Sequence, residues 1–130
     1  MAEDLEEAGV FAANAAFYLA ISARDIEMME QLWAEKGEIA VLHPGWPMLE
    51  GRDKVMESWQ GILANPDGVD IEFGNGTVEF TDDEAVVKGS EFLQAHVTKV
   101  VNVFRKHPDG RWLLVFHGAE AIKLPQPGHA

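Results

Sequence analysis

The chain has 130 residues, 47% apolar and 25% charged, which are the proportions of one globular domain. It has no cysteine, so a disulfide framework and a thiolate metal site are both excluded. A formal charge of −12, with Lys and Arg scattered along the chain, sets long-range repulsion against nucleic acid and anionic membrane surfaces; neither is expected as a partner. The first residues, Ala2-Glu3-Asp4-Leu5-Glu6-Glu7, are acidic where a signal peptide is basic. No apolar run reaches the roughly 20 residues needed to span a bilayer. A cytoplasmic protein is expected.

Residues 4–23 read as a first helix. Its acids suit the positive end of the helix dipole. From Ala8 to Ala23 it is apolar or small nearly all round, which predicts cover on more than one side by a sheet and by a helix, a pocket or a partner. Asn14 is the polar exception, one turn before Tyr18. Asp25 is placed to cap a second helix over residues 26–35, with Ile26, Met29, Leu32 and Trp33 buried and Gly37 ending it. Residues 39–42 read as a short strand. The next eleven residues, His43 to Asp53, hold two prolines and two glycines and predict a rigid loop presenting His43 beside Trp46. A third helix follows over residues 52–64, with Val55, Met56, Trp59, Ile62 and Leu63 on its inner face. Asn65-Pro66-Asp67-Gly68 stops it.

Beyond Gly68 the period changes to two. Val69, Ile71 and Phe73 alternate with acids, then the phase slips at Gly74-Asn75-Gly76 so that Val78 and Phe80 become the apolar positions. Such a slip at Gly-X-Gly is the signature of a β-bulge and predicts a sharply bent strand. Strands are predicted at residues 85–93, 98–107 and 111–122, with a loop at 94–97 and a hairpin turn at His107-Pro108-Asp109-Gly110. The fold class is α+β: three N-terminal helices packed on a strongly bent, mainly antiparallel sheet that closes as a cone around a pocket. One domain is expected over residues 1–130, with 124–130 a flexible tail.

Asn14 with Phe17-Tyr18, Asp25, Leu32-Trp33, His43-Pro44-Gly45, Gly51-Arg52, Trp59, Asn102-Val103-Phe104-Arg105, Gly110-Arg111-Trp112 and His117 occur in an order that resembles the SnoaL-like branch of the nuclear-transport-factor-two superfamily. The resemblance spans nearly the whole chain. It implies a cystatin-like, cone-shaped α+β barrel, usually a homodimer through the outer face of the sheet. The superfamily includes polyketide cyclases, ketosteroid isomerases, dehydratases and epoxide hydrolases, and also binding or assembly domains without catalysis. Members with similar Asn102 and Trp112 motifs often carry a run of histidines in the last strand; here Phe116-His117-Gly118 keeps one.

Glu91, Asn102 and His117 each fall on an apolar strand, and three such groups pointing into a cone would form an acid–base centre. A satisfied hydrogen-bond network, or an interface contact on the outer face, is the alternative for the same three. By parity Asn102 shares a face with Val100 and Phe104, and His117 with Leu113 and Val115. His43 could take a proton near neutral pH or simply tie its loop to a backbone carbonyl. The candidate catalytic residues are thus His43, His117 and Glu91. Tyr18, Trp46, Trp59, Asn102 and Phe104 are the candidates for ligand contact, although Trp59 also fits a helix-to-sheet core position and a buried Tyr18 hydroxyl needs only some partner. His43, His117 and Glu91 lack the short spacing of a metal site, so no metal and no cofactor is expected. The expected function is metal-free binding of, or acid–base chemistry on, a small apolar ring-containing molecule. The alternative is a non-catalytic dimerisation or ligand-sensing domain.

Overall fold

The computed structural model describes residues 2–68, 70–94 and 96–121. Helices α1 (Ala2–Ala23) and α2 (Ile26–Leu32) come first, then strands β1 (Ala40–Leu42) and β2 (Leu49–Glu50) and helix α3 (Arg52–Leu63). Four strands complete it: β3 (Glu72–Phe80), β4 (Glu84–Leu93), β5 (His96–Lys106) and β6 (Trp112–Ala121). They form one sheet in the order β2-β1-β6-β5-β4-β3, antiparallel throughout except where β1 runs parallel to β6. The expected tail lies outside the described residues.

The three helices pack on one face of this sheet. Val10, Phe17 and Ile21 of α1, Met29 of α2, and Val55 and Trp59 of α3 meet Ala85, Val87, Phe104 and Leu114 from the strands in a single apolar core. The far side of α1, with Leu5, Ala8, Ala12, Ala15 and Leu19, is exposed, so the second cover expected for this helix is not supplied within the described residues.

Helix α2 starts as expected, with the Asp25 carboxylate accepting from Met28 N–H at 3.0 Å. It ends at Leu32, three residues before the expected end and well short of Gly37. Trp33 is extended and bridges Leu114 in β6, and Ala34 N–H donates to the Leu114 carbonyl. The Arg52 guanidinium, reaching over from α3, donates to the carbonyls of Glu30, Trp33 and Ala34 and so satisfies the end of α2. A cap supplied by a residue so distant in sequence leaves no local signal.

The proline-rich loop after β1 is shorter than expected, because Leu49 and Glu50 turn back as β2 opposite Val41 and Ala40. The residues between form a turn in which Trp46 N–H donates to the His43 carbonyl. Gly51 N–H donates to the Ile39 carbonyl and fixes the start of α3.

Two bulges bend the sheet. The first lies between Gly74 and Thr77, as the parity slip predicts. A Cβ on Gly76 or Gly89 would come within 2.6 or 2.5 Å of the Phe73 ring, so these glycines make room for Phe73 to stack on Tyr18. The second bulge was not expected. Phe104 pairs with Leu114 and Val103 with Phe116, leaving Val115 extra. It moves Leu114, not Leu113, onto the face shared with His117. The loop expected at 94–97 is shorter than that, because pairing runs up to Leu93 opposite His96.

Trp59 is 3% exposed and meets Phe17 edge to face at 5.4 Å. Trp59→Ala should therefore cost about 3–5 kcal/mol in denaturant unfolding. A loss near the roughly 0.5 kcal/mol of a surface substitution would remove Trp59 from the core.

Candidate functional site

The sheet register and α1 bring six polar side chains together inside the apolar interior. Glu91 of β4 lies opposite Thr98 of β5, and Asn102 of β5 lies opposite His117 of β6. Asn14 and Tyr18, one helical turn apart, face them from α1. All six are buried. Tyr18 Oη donates to Glu91 Oε2 at 2.6 Å. Thr98 Oγ1 donates to Glu91 Oε1 at 3.3 Å. Asn102 Nδ2 donates to Asn14 Oδ1 at 2.9 Å and to Tyr18 Oη at 3.1 Å.

These bonds settle which nitrogen of a neutral His117 carries the proton. Both hydrogens of Asn102 Nδ2 are committed, so Asn102 meets His117 only through its oxygen, an acceptor. The contact between Asn102 Oδ1 and His117 Nδ1 is 2.6 Å. His117 Nδ1 must carry the proton, and the neutral ring keeps a lone pair on Nε2. That nitrogen lies 3.9 Å from Glu91 Oε2, beyond hydrogen-bond distance.

His43 reaches the same place from the turn after β1. Its Nε2 lies 2.9 Å from Ser58 Oγ, and Ser58 spends its one hydrogen on the Val55 carbonyl at 2.7 Å. Ser58 therefore accepts, His43 Nε2 carries the proton, and Nδ1 is left with the lone pair. The His43 ring meets Trp46 at 4.9 Å and Trp59 at 4.8 Å, edge to face in both cases, and lies 6.3 Å from the His117 ring. A cavity of about 350 Å³ opens here. His43, Trp46, Trp59, Glu91, Thr98 and His117 line it, together with Ile21, Ile62, Ile71 and Leu93.

The structure thus brings together all three expected catalytic candidates, His43, His117 and Glu91. Trp59 and the half-exposed Trp46 line the same cavity. Asn102 and Tyr18 stand behind it: Asn102 is wholly buried, and Tyr18 lines a separate groove between α1 and β3. Phe104 packs in the core beside Ala85 and Leu114, away from the cavity wall. Ser58, Thr98 and His96 were not singled out beforehand. Ser58 carried a weak signal, as the polar residue on the apolar face of α3. Among the described residues no three His, Asp or Glu side chains are grouped as a metal ion requires, and no helix is long and apolar enough to cross a membrane.

Burial dominates the electrostatics. It lowers the His43 pKa to about 4. It lowers that of His117 to about 3, with His43 adding to the effect. Burial raises Glu91 against the opposing hydrogen bonds from Tyr18 and Thr98, and raises Tyr18, which the Glu91 charge raises further. Both imidazoles are neutral at pH 7. As pH falls below the ordinary 6.5, the unfolded state takes the proton first, so the stability held by a neutral His117 is whole above that value and is lost toward about 3. Glu91 has the opposite sign, but it cancels when two proteins that both carry it are compared. The stability advantage of the wild type over His117→Gln should therefore shrink on acidification from neutral pH toward about 4. An advantage that stays constant would contradict a neutral, buried His117.

Comparison with known proteins agrees with this architecture. The family described as "SnoaL-like domain" matches residues 10–119. A Streptomyces avermitilis structure, described as a candidate dehydratase of the NTF2-like family, is 31% identical and superposes with a TM-score of 0.83 over 93% of this chain and 99% of its own. A Thiobacillus denitrificans structure, described as a candidate association domain of calcium/calmodulin-dependent protein kinase type II, is 25% identical, with a TM-score of 0.77 over 86% of this chain and 94% of its own. The Arabidopsis thaliana F-box protein SKIP8 is 26% identical over 117 residues, 88% of this chain, and the chain spans about half of that relative's length. With the family matching most of the chain and the fold its members share, the protein belongs to the SnoaL-like domain family of NTF2-like, cystatin-like α+β proteins.

Proposed function

We propose that the cavity takes a small ring-containing molecule and performs metal-free acid–base chemistry on it. The observation that carries this reading is the pair His117 Nε2 and Glu91 Oε2, facing across 3.9 Å at a polar floor under apolar walls. Each is held from behind, His117 by Asn102, and Glu91 by Tyr18 and Thr98. His117 Nε2 has a lone pair and accepts a proton from the bound molecule. The imidazolium that forms is stabilised by the Glu91 carboxylate beside it, in a site whose low dielectric strengthens the attraction. His43, which also lines the cavity, keeps a lone pair on Nδ1 and can serve as the second proton-transfer group. A positioned base of this kind contributes about 10²–10⁴-fold to rate. Proton removal with proton return elsewhere is an isomerisation; with loss of a hydroxyl it is a dehydration, the class named for the Streptomyces relative.

A second reading has its own support. The six-residue network is largely satisfied within the protein, as a structural network must be, and the Thiobacillus relative is described as an association domain. On the outer sheet face Val86, Val103 and Phe116 line up across three strands beside Val101, all half-buried. That surface fits a homodimer without catalysis.

One preparation separates the two. Cyclic ketones and cyclic hydroxy-ketones are incubated with it and followed by NMR, while sedimentation reports its mass. Turnover of at least one compound, falling about 10²–10⁴-fold in His117→Ala, is the expected result. A dimer that turns over none of them, or whose turnover survives His117→Ala, leaves the association reading.

A further inference from the structure

We propose that the molecule held in the cavity carries a protonated amine, which seats between Glu91 and His117 while its ring lies against the two tryptophans. The inference rests on the cavity reading above and names the chemical class of its ligand; while the ammonium occupies His117 Nε2, His43 Nδ1 is the lone pair left for proton transfer at the ring.

Four observations converge. The first is the floor. With His117 neutral and protonated on Nδ1, Nε2 is a pure acceptor, and an ionised Glu91 Oε2 is another. Two acceptors 3.9 Å apart cannot bond to each other, and both lie at the cavity. A single nitrogen about 2.9 Å from each can reach both. That nitrogen must carry at least two hydrogens, which an ammonium group does. A ligand ether or carbonyl oxygen has none to give.

The second is charge. Among the described residues lining the cavity, Glu91 is the one acid, and no Lys or Arg accompanies it. A ligand carboxylate or phosphate would face Glu91 with no counter-charge in a buried place, whereas an ammonium supplies the partner that a buried carboxylate lacks. Charge-assisted bonds of this type are about twice as strong as neutral ones.

The third is the wall. Trp46, 45% exposed, and Trp59, 3% exposed, both line the cavity. Indole faces attract cations and also cover apolar rings, and Trp is the strongest of the aromatic side chains in this respect. The fourth is the whole molecule, whose charge of −12 raises the local concentration of cations and lowers that of anions.

The basic groove between the end of α2 and the β5–β6 hairpin does not compete as a ligand site. Arg105 there is paired with Glu84 and Arg111 with Asp109, and Arg52 is spent on the end of α2.

The test compares three head groups on one ring. The purified chain is titrated by calorimetry at neutral pH with 2-phenylethylamine, 2-phenylethanol and phenylacetate, and the Trp59 indole N–H resonance reports whether the ligand enters the cavity. The amine should bind at least tenfold more tightly than the alcohol, with no detectable binding of phenylacetate. In Glu91→Gln the tenfold preference for the amine over the alcohol should be lost. Alcohol or phenylacetate binding as tightly as the amine overturns the inference and leaves the cavity reading standing. If none of the three binds, or none moves the Trp59 resonance, both fall. The wild-type ranking alone decides the matter where Glu91→Gln does not fold.

Discussion

One side chain, Asn102, holds the polar interior together. Its amide nitrogen donates to Asn14 and Tyr18 on α1, and its oxygen accepts from His117 Nδ1 on β6. Helix packing on the sheet and the chemistry of the site are thus fixed by the same three hydrogen bonds. Their directionality matters more than their number. An amide has two hydrogens on one end and an acceptor on the other, and once the hydrogens are committed the imidazole tautomer follows. A buried amide with an unmet hydrogen-bonding group would cost about 1–3 kcal/mol, so the arrangement is enforced by the surrounding apolar shell.

That shell sets the electrostatics in turn. Phe17 packs against the His117 ring at 4.9 Å and Trp59 at 5.7 Å, while Phe73 stacks on Tyr18. Rings on these sides exclude water, which disfavours charge on both histidines and on Glu91. Space for Phe73 depends on glycine at 76 and 89, so the bulge in β3 does more than bend the sheet: it positions the ring that closes one side of Tyr18. Local backbone choice, packing and proton chemistry are linked through that one aromatic.

Where periodicity was clean, the sequence was legible. The parity slip at Gly74-Asn75-Gly76 marked a real bulge, Asp25 marked a real cap, and the polar residues Glu91, Asn102 and His117 stood out on apolar strands that did bring them together. The second bulge was hidden because Leu113, Leu114 and Val115 are apolar on both faces, and a phase change within an unbroken apolar run leaves no mark. Phe104 read as a pocket residue because it shares the inner face with Asn102, whereas it packs in the core beside Ala85 and Leu114. The end of α2 depended on Arg52 from another helix. The fold could therefore be read from repeating pattern, while the division of labour between cavity wall and supporting network could not, because it turns on which atom of each side chain faces which neighbour.

The account rests most directly on the protonation of His117, and nitrogen-15 NMR of the histidine side chains reads it. In wild-type protein at neutral pH the account predicts a neutral ring with the proton on Nδ1, and a free lone pair on Nε2 that shifts when a ligand enters the cavity. A proton on Nε2 alone would contradict it, since Nδ1 would then face the Asn102 oxygen without a hydrogen, and so would a ring already cationic at that pH, since burial disfavours that charge.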